Sequence, residues 1–264
     1  MDKRKYLLLT TALIVAITLT PGCVINKLRA KASLNDGARE FNKGRYEAAQ
    51  EKFEFAMKLS PDLANAQLFY ARALNSRFDQ ELTEDLGLKA IEAYETIIKS
   101  NQSNHDAVDK ALAFQANVYE TLARVAPDKA DLYTEKGRET VLKRGELPGA
   151  SASTKAIVYH KIGADYWEEC YRQVSAPYIA RKQPIPPEAQ ERMKDLIRKA
   201  HEYLNKAIAV DPQYADAYFY EKLVFLEELK VETNPTKQNV LKEQVKKMED
   251  TYLQLQKQKT QQSS

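Results

Sequence analysis

Cysteine is nearly absent from this sequence: Cys23 and Cys170 are the only two in 264 residues. One disulfide is the most they can form, which excludes a small scaffold stapled by cross-links. Histidine is also sparse. His105, His160 and His201 stand isolated, with no His-Glu-x-x-His pair and no Cys-x-x-Cys, so the spacings of zinc sites are missing. There is no glycine-rich phosphate loop and no Gly-x-Ser-x-Gly elbow. Neighbouring carboxylates occur at Glu84-Asp85, Glu168-Glu169 and Glu227-Glu228, but adjacent residues on a helix do not face one site. No enzyme, cofactor or metal ion is expected. An excess of one charge is missing too, because Lys and Arg total 40 against 37 acidic residues. Setting aside Asp2, Lys3, Arg4 and Lys5 as part of a leader leaves 37 against 36. Such a balance lacks the basic footprint that nucleic-acid binding requires. Cys170, among Tyr166, Trp167 and Tyr171, reads as a small buried thiol.

The one long apolar run is Tyr6 to Leu19, preceded by Lys3-Arg4-Lys5 and followed by Thr20-Pro21-Gly22-Cys23. A spanning helix needs roughly 20 apolar residues, so this run reads as an export signal, with an uncleaved anchor or a buried helix as the alternative. Gly22-Cys23 resembles the end of a bacterial lipoprotein signal, although Thr20 and Pro21 depart from its usual residues. The resemblance implies that residues 1–22 are removed and that Cys23 is acylated, placing the chain on the periplasmic side of a membrane. Val24 after the cysteine points, by analogy with enterobacterial sorting, to the outer rather than the inner membrane. Ala30-Lys31-Ala32 offers an ordinary signal-peptidase site, placed far beyond the apolar run.

Spacing reveals a repeat. In GAREFNKGRYEAAQEKFEFAMKLSP, the residues Ala49, Phe53, Ala56 and Pro61 recur at the same intervals as Ala200, Leu204, Ala207 and Pro212 in KAHEYLNKAIAVDP. Small residues at Gly37, Ala49 and Ala56 would let two antiparallel helices approach closely, while Tyr46 and Phe53 fill the space to the next pair. Pro61 and Pro212 end a helix, because proline lacks the donor needed to continue it. One pair cannot bury its apolar face alone, so pairs must stack. Ala, Leu, Glu and Lys dominate, and no strand-like alternation competes.

These residues are similar to the tetratricopeptide repeat family, and the likeness extends over most of the chain after Ser33. It implies an all-α solenoid of antiparallel helix pairs, about four to five of them, closed by a C-terminal capping helix. The expected layout is a lipidated tether over 23–32, pairs one to three over 33–144, a linker over 145–154 and pairs four and five over 155–258. Within it, helices are expected over 62–75 and 88–100, joined by SRFDQELTED, a longer connection than is usual in the family. Others are expected over 106–125 and 128–143, then at Tyr159 to Tyr166 behind a Ser153 or Thr154 cap. The remaining helices are 189–210, 214–230 and 236–258. Heptad coiled coil is the alternative for 240–258, though sustained heptads are absent. A proline-rich insertion, 175–188, is expected to fold over the concave face, and the tail, 259–264, to be disordered.

In this family, the first helices of successive pairs line a concave groove. The resemblance places Phe41, Asn42, Leu68, Arg72, Asn75, Asn117, Glu120, Thr121, His160, Trp167, Glu168 and Phe219 along it. Amide, guanidinium and aromatic groups suit an extended peptide. The family's carboxylate clamp is not reproduced, since Arg72 and Asn75 alone do not make it. The expected function is a membrane-anchored periplasmic adaptor holding a protein or peptide partner. The alternative is a helical lipoprotein partner of a solute transport system that binds a small molecule.

Overall fold

The computed structural model describes residues 21–63 and 65–262, with side chains described for 24–63 and 65–261. The apolar run, Thr20, the side chain of Cys23 and the final serines lie outside the described residues. Among the described residues only helices and turns occur, and helices that follow one another in sequence pack together. The fold class is all-α.

The chain divides into two compact units, residues 1–137 and 138–264. The first holds α1 (Pro21–Asn42), α2 (Tyr46–Leu59), α3 (Ala66–Glu81), α4 (Glu84–Ser100), α5 (His105–Val125) and the start of α6 (Ala130–Gly145). The second holds the end of α6, α7 (Ala152–Glu169), a π-helical turn (Cys170–Ser175), α8 (Ala176–Ala180), α9 (Pro187–Val210), α10 (Ala215–Glu228) and α11 (Pro235–Gln262). The division falls inside α6 and not in the Gly145–Thr154 stretch. Beyond Gly137 the helix is tied to α7: Arg138 pairs with Glu169 at 2.7 Å, and its guanidinium lies 3.9 Å from the Tyr166 ring centroid.

Small residues set the helix contacts. A Cβ on Gly37 would lie 2.6 Å from the Phe53 ring, and one on Gly163 would lie 2.6 Å from Leu204 Cγ. Phe53 and Leu204 are the residues matched by spacing, and Ala49, Ala56, Ala200 and Ala207 beside them are all fully buried. Contacts between α1 and α2 run in opposite directions, from Phe41 with Tyr46 through Gly37 with Phe53 to Lys27 with Asp62. The two helices are therefore antiparallel. Helices α2 and α9 stop at Leu59 and Val210, just ahead of Pro61 and Pro212, where the missing donor requires it.

Several boundaries differ from expectation. Helix α3 continues through Ser76–Glu81, because Phe78 is fully buried in the first unit's core. Only Leu82 and Thr83 then connect it to α4, Leu82 turning the chain with a φ of 51°. The stretch expected to be a long connection is mostly helix. Ser151 caps α7 by accepting from the Thr154 amide at 3.0 Å, two residues ahead of the expected cap. Residues 23–32, expected to carry the tether, lie within α1. At the other end, Lys259–Gln262 extend α11. The insertion is also shorter than its prolines suggest. Helix α7 passes through the π-turn into α8, and Ser175, fully buried, donates to Glu227 at 2.7 Å. Helix α8 packs on the π-turn, and Arg181–Pro184 run exposed beyond it.

Candidate functional site

Concave sites occur in both units. In the first unit, α3 and α5 enclose a cavity of about 400 Å³ lined by Arg72, Asn75, Ser76, Asp79, Phe114, Asn117, Glu120 and Thr121. Five of these, Arg72, Asn75, Asn117, Glu120 and Thr121, are expected groove residues. Their spacing explains the convergence: residues three and four apart share one helix face, so Arg72, Asn75 and Asp79 line α3 while Asn117, Glu120 and Thr121 line α5. The Arg72 guanidinium sits 5.3 Å from the Phe41 ring and 5.4 Å from the Phe114 ring. Two aromatic faces thus hold this cation in place. Tyr94, fully buried in the core, lies beside Asn75 of that lining. Burial raises its phenol pKa, opposed by the adjacent Asn75 side chain and the Arg72 charge. Burial likewise raises the pKa of the Asp79 carboxyl, with the Arg124 charge opposing. Asn42, exposed at the end of α1, is not part of this lining. Leu68 belongs to a separate cavity of about 350 Å³ at the loop edge, with Pro61, Asn65, Asn101 and Asn104.

The groove residues expected in the second unit fall into an aromatic cluster. His160 meets Tyr220 edge-on at 4.9 Å and Tyr214 at 5.3 Å, and the Tyr214 hydroxyl is 3.3 Å from His160 Nδ1. Trp167 also meets Tyr220 edge-on, at 5.4 Å, and stacks on Tyr171 at 5.5 Å. Phe219 contacts Tyr220 and Tyr252 at 5.6 and 5.3 Å. Burial lowers the His160 pKa, favouring a neutral ring. Glu168 is separated from this cluster: it faces outward and pairs with Arg172 on the exposed surface at 2.8 Å.

The larger cavity lies elsewhere in the second unit. Helices α9, α10 and α11 enclose about 780 Å³, with His201, Asn205, Glu221, Glu228, Gln244, Lys247 and Thr251 among apolar walls that include Phe225, Val240, Leu241 and Met248. His201 is not isolated. Its Nδ1 lies 2.7 Å from Glu221 and its Nε2 3.3 Å from Glu228, while Asn205 donates to Glu221 at 3.2 Å. Burial, the largest single influence, opposes the imidazolium. The hydrogen bonds and charges of both glutamates outweigh it together and hold the His201 pKa up at about 9. Both ring nitrogens then donate to carboxylates. The overlooked signal is the seven-residue interval between Glu221 and Glu228, two helical turns that put both on one face of α10.

The adjacent carboxylates diverge. Glu84 accepts from Lys129 and Tyr133 while Asp85 pairs with Lys89. Glu227 takes Ser175 and Lys230 while Glu228 takes His201. Cys170 is fully buried, its thiol pushed up to about 12 chiefly by that burial, which suppresses the reactive thiolate. Among the described residues, no group of three or more His, Cys, Asp or Glu side chains is arranged to hold a metal ion, and no helix is long and apolar enough to cross a membrane.

No protein-family model matches this chain, and no curated protein matches its sequence.

Proposed function

We propose that this protein is a helical-repeat adaptor of the tetratricopeptide kind, exported and held at a membrane through Cys23, that grips an extended peptide segment of a partner protein against α3 and α5. The observation that carries the reading is the convergence of Arg72, Asn75, Asn117 and Glu120, drawn from two different helices, on one open cavity. Amides beside a guanidinium held between aromatic rings supply directional donors and acceptors for a peptide backbone or carboxylate. The test is crosslinking in cells from a photoreactive residue at Asn117, compared between the native chain and Arg72→Ala. One abundant protein captured, and lost on Arg72→Ala, supports the reading. Capture that is indifferent to Arg72 overturns the assignment of this groove. For the anchor, Cys23→Ala should shift the chain out of the membrane fraction. An unchanged mature mass and membrane partition would overturn acylation.

The alternative of a small-molecule carrier is favoured by the α9–α11 cavity, whose volume of about 780 Å³ lies within the range of small-molecule sites. Native mass spectrometry of protein purified from cells separates the readings. A stoichiometric small adduct, lost on Met248→Trp, would shift the assignment to that cavity.

A further inference from the structure

The first turns of α1 carry an apolar face turned away from the protein. Val24, Ile25 and Leu28 are 57%, 52% and 63% exposed, and Ala32 is exposed as well. At about 100° per residue these four fall within an arc of roughly 100°. Ala30, Ser33 and Gly37, the buried residues of the same helix, lie on the opposite side. The apolar arc is therefore not the edge of the packing stripe but a second face. Basic residues flank it, Lys27 and Lys31 on one side and Arg29 on the other, all exposed. No acidic residue occurs on α1 before Asp36. Lys27 reaches Asp62 at 3.0 Å, but both side chains are more than half exposed, which makes the pair weak. Arg29 lies 5.9 Å from the ring of Phe55, itself exposed.

A helix with an apolar arc bordered by cations on both sides has the form of one lying at a lipid surface, apolar side chains at the acyl boundary and long basic side chains reaching phosphates. The chain preceding it selects that occupant. Tyr6 to Leu19, an apolar run, ends five residues before Val24 in the sequence. A retained run, or acyl chains on Cys23 in its place, brings hydrocarbon next to this face. We infer that the first turns of α1 lie in the headgroup layer of a bilayer containing anionic phospholipid, with Val24, Ile25 and Leu28 inserted and Lys27, Arg29 and Lys31 on lipid phosphates. The inference is independent of the groove reading and of whether Cys23 is acylated.

The test uses the full chain with Cys23→Ser and Leu28→Cys, carrying an environment-sensitive fluorophore at position 28, while Cys170 stays unlabelled because it is buried. The protein is reconstituted into vesicles of phosphatidylethanolamine and phosphatidylglycerol, and co-flotation verifies attachment. Expected is blue-shifted emission with several-fold quenching by lipids bearing an acyl-chain nitroxide. A label at Leu132, exposed on α6 within the same unit as α1, should stay unquenched. Replacing Lys27, Arg29 and Lys31 by Gln should reduce quenching at position 28 at least twofold, with the helical circular-dichroism signal unchanged. Water-like, unquenched emission at position 28 overturns the inference. So does blue-shifted emission without quenching, which would mean that protein, such as a second copy, covers the face. Equal quenching on vesicles of neutral lipid overturns the assignment to anionic lipid.

Discussion

The His201 cluster makes stability depend on pH in a direction opposite to that of a paired carboxylate. Its imidazole moves from an ordinary value of 6.5 to about 9 in the folded chain. At 1.36 kcal/mol per unit, this shift amounts to at most about 3 kcal/mol. It is an upper bound because the Glu228 side chain is 35% exposed, although Glu221 at 3% is not. Below pH 6.5 both the folded and the unfolded chain carry the proton, and the full stabilisation is present. Between the two values only the folded chain retains it, so rising pH favours unfolding, and the contribution is lost as pH passes through about 9. Other charged side chains share the cluster's surroundings, including Lys247, which lines the same cavity. The readout is therefore a difference, taken between the native chain and His201→Gln. Urea unfolding followed by circular dichroism, with hydrogen exchange at amides of α9 and α10, gives that difference at intervals from pH 5.5 to 10. It should be constant up to pH 6.5 and then shrink by about 2–3 kcal/mol. A difference that stays level across the range would show that His201 carries no charge between its glutamates, and the reasoning would fail.

Glycine positions provide a test of opposite signs. Gly163→Ala should destabilise the second unit by about 1–3 kcal/mol, because the new Cβ meets Leu204 Cγ at 2.6 Å and the Ala200 carbonyl at 3.1 Å. Gly137→Ala should instead stabilise by about 0.5–1 kcal/mol through helix propensity, its nearest neighbour lying at 3.5 Å. Thermal melts of both variants check the contrast. Asn104 caps α5 by accepting from the Ala107 amide at 3.2 Å, so Asn104→Ala should lower stability by about 1 kcal/mol and accelerate amide exchange in the first turn of α5. Glu169→Leu should cost about 3 kcal/mol in urea unfolding. It takes the carboxylate from Arg138, which is 6% exposed, and leaves the Asp165 carbonyl and the Tyr166 ring as partial compensation.

The helices were legible where one residue type has one physical consequence. Ala49, Phe53, Ala56 and Pro61, with their counterparts Ala200, Leu204, Ala207 and Pro212, could be read from spacing because a helix face repeats every three to four residues and proline ends it. The same periodicity placed Arg72 and Asn75 on one face of α3 and Asn117 and Glu120 on one face of α5. That the two faces enclose a common cavity followed only from the packing of α3, α4 and α5. Boundaries were harder to read when polar letters sat on a buried stripe. Ser76–Glu81 resemble a connection, yet Phe78 anchors them in the core as helix. Ser175 and the proline-rich letters after it suggest a lid, yet Ser175 finds Glu227 on α10. His201 was illegible by itself: its partners lie 20 and 27 residues away, a separation that no local pattern encodes. The sequence alone determined the all-α class and the small-against-large helix contacts, because these depend on neighbours within a turn or two. Tertiary structure decided which faces meet, which charges are removed from water and how His201 is held protonated, because these depend on groups that only packing brings within hydrogen-bond distance.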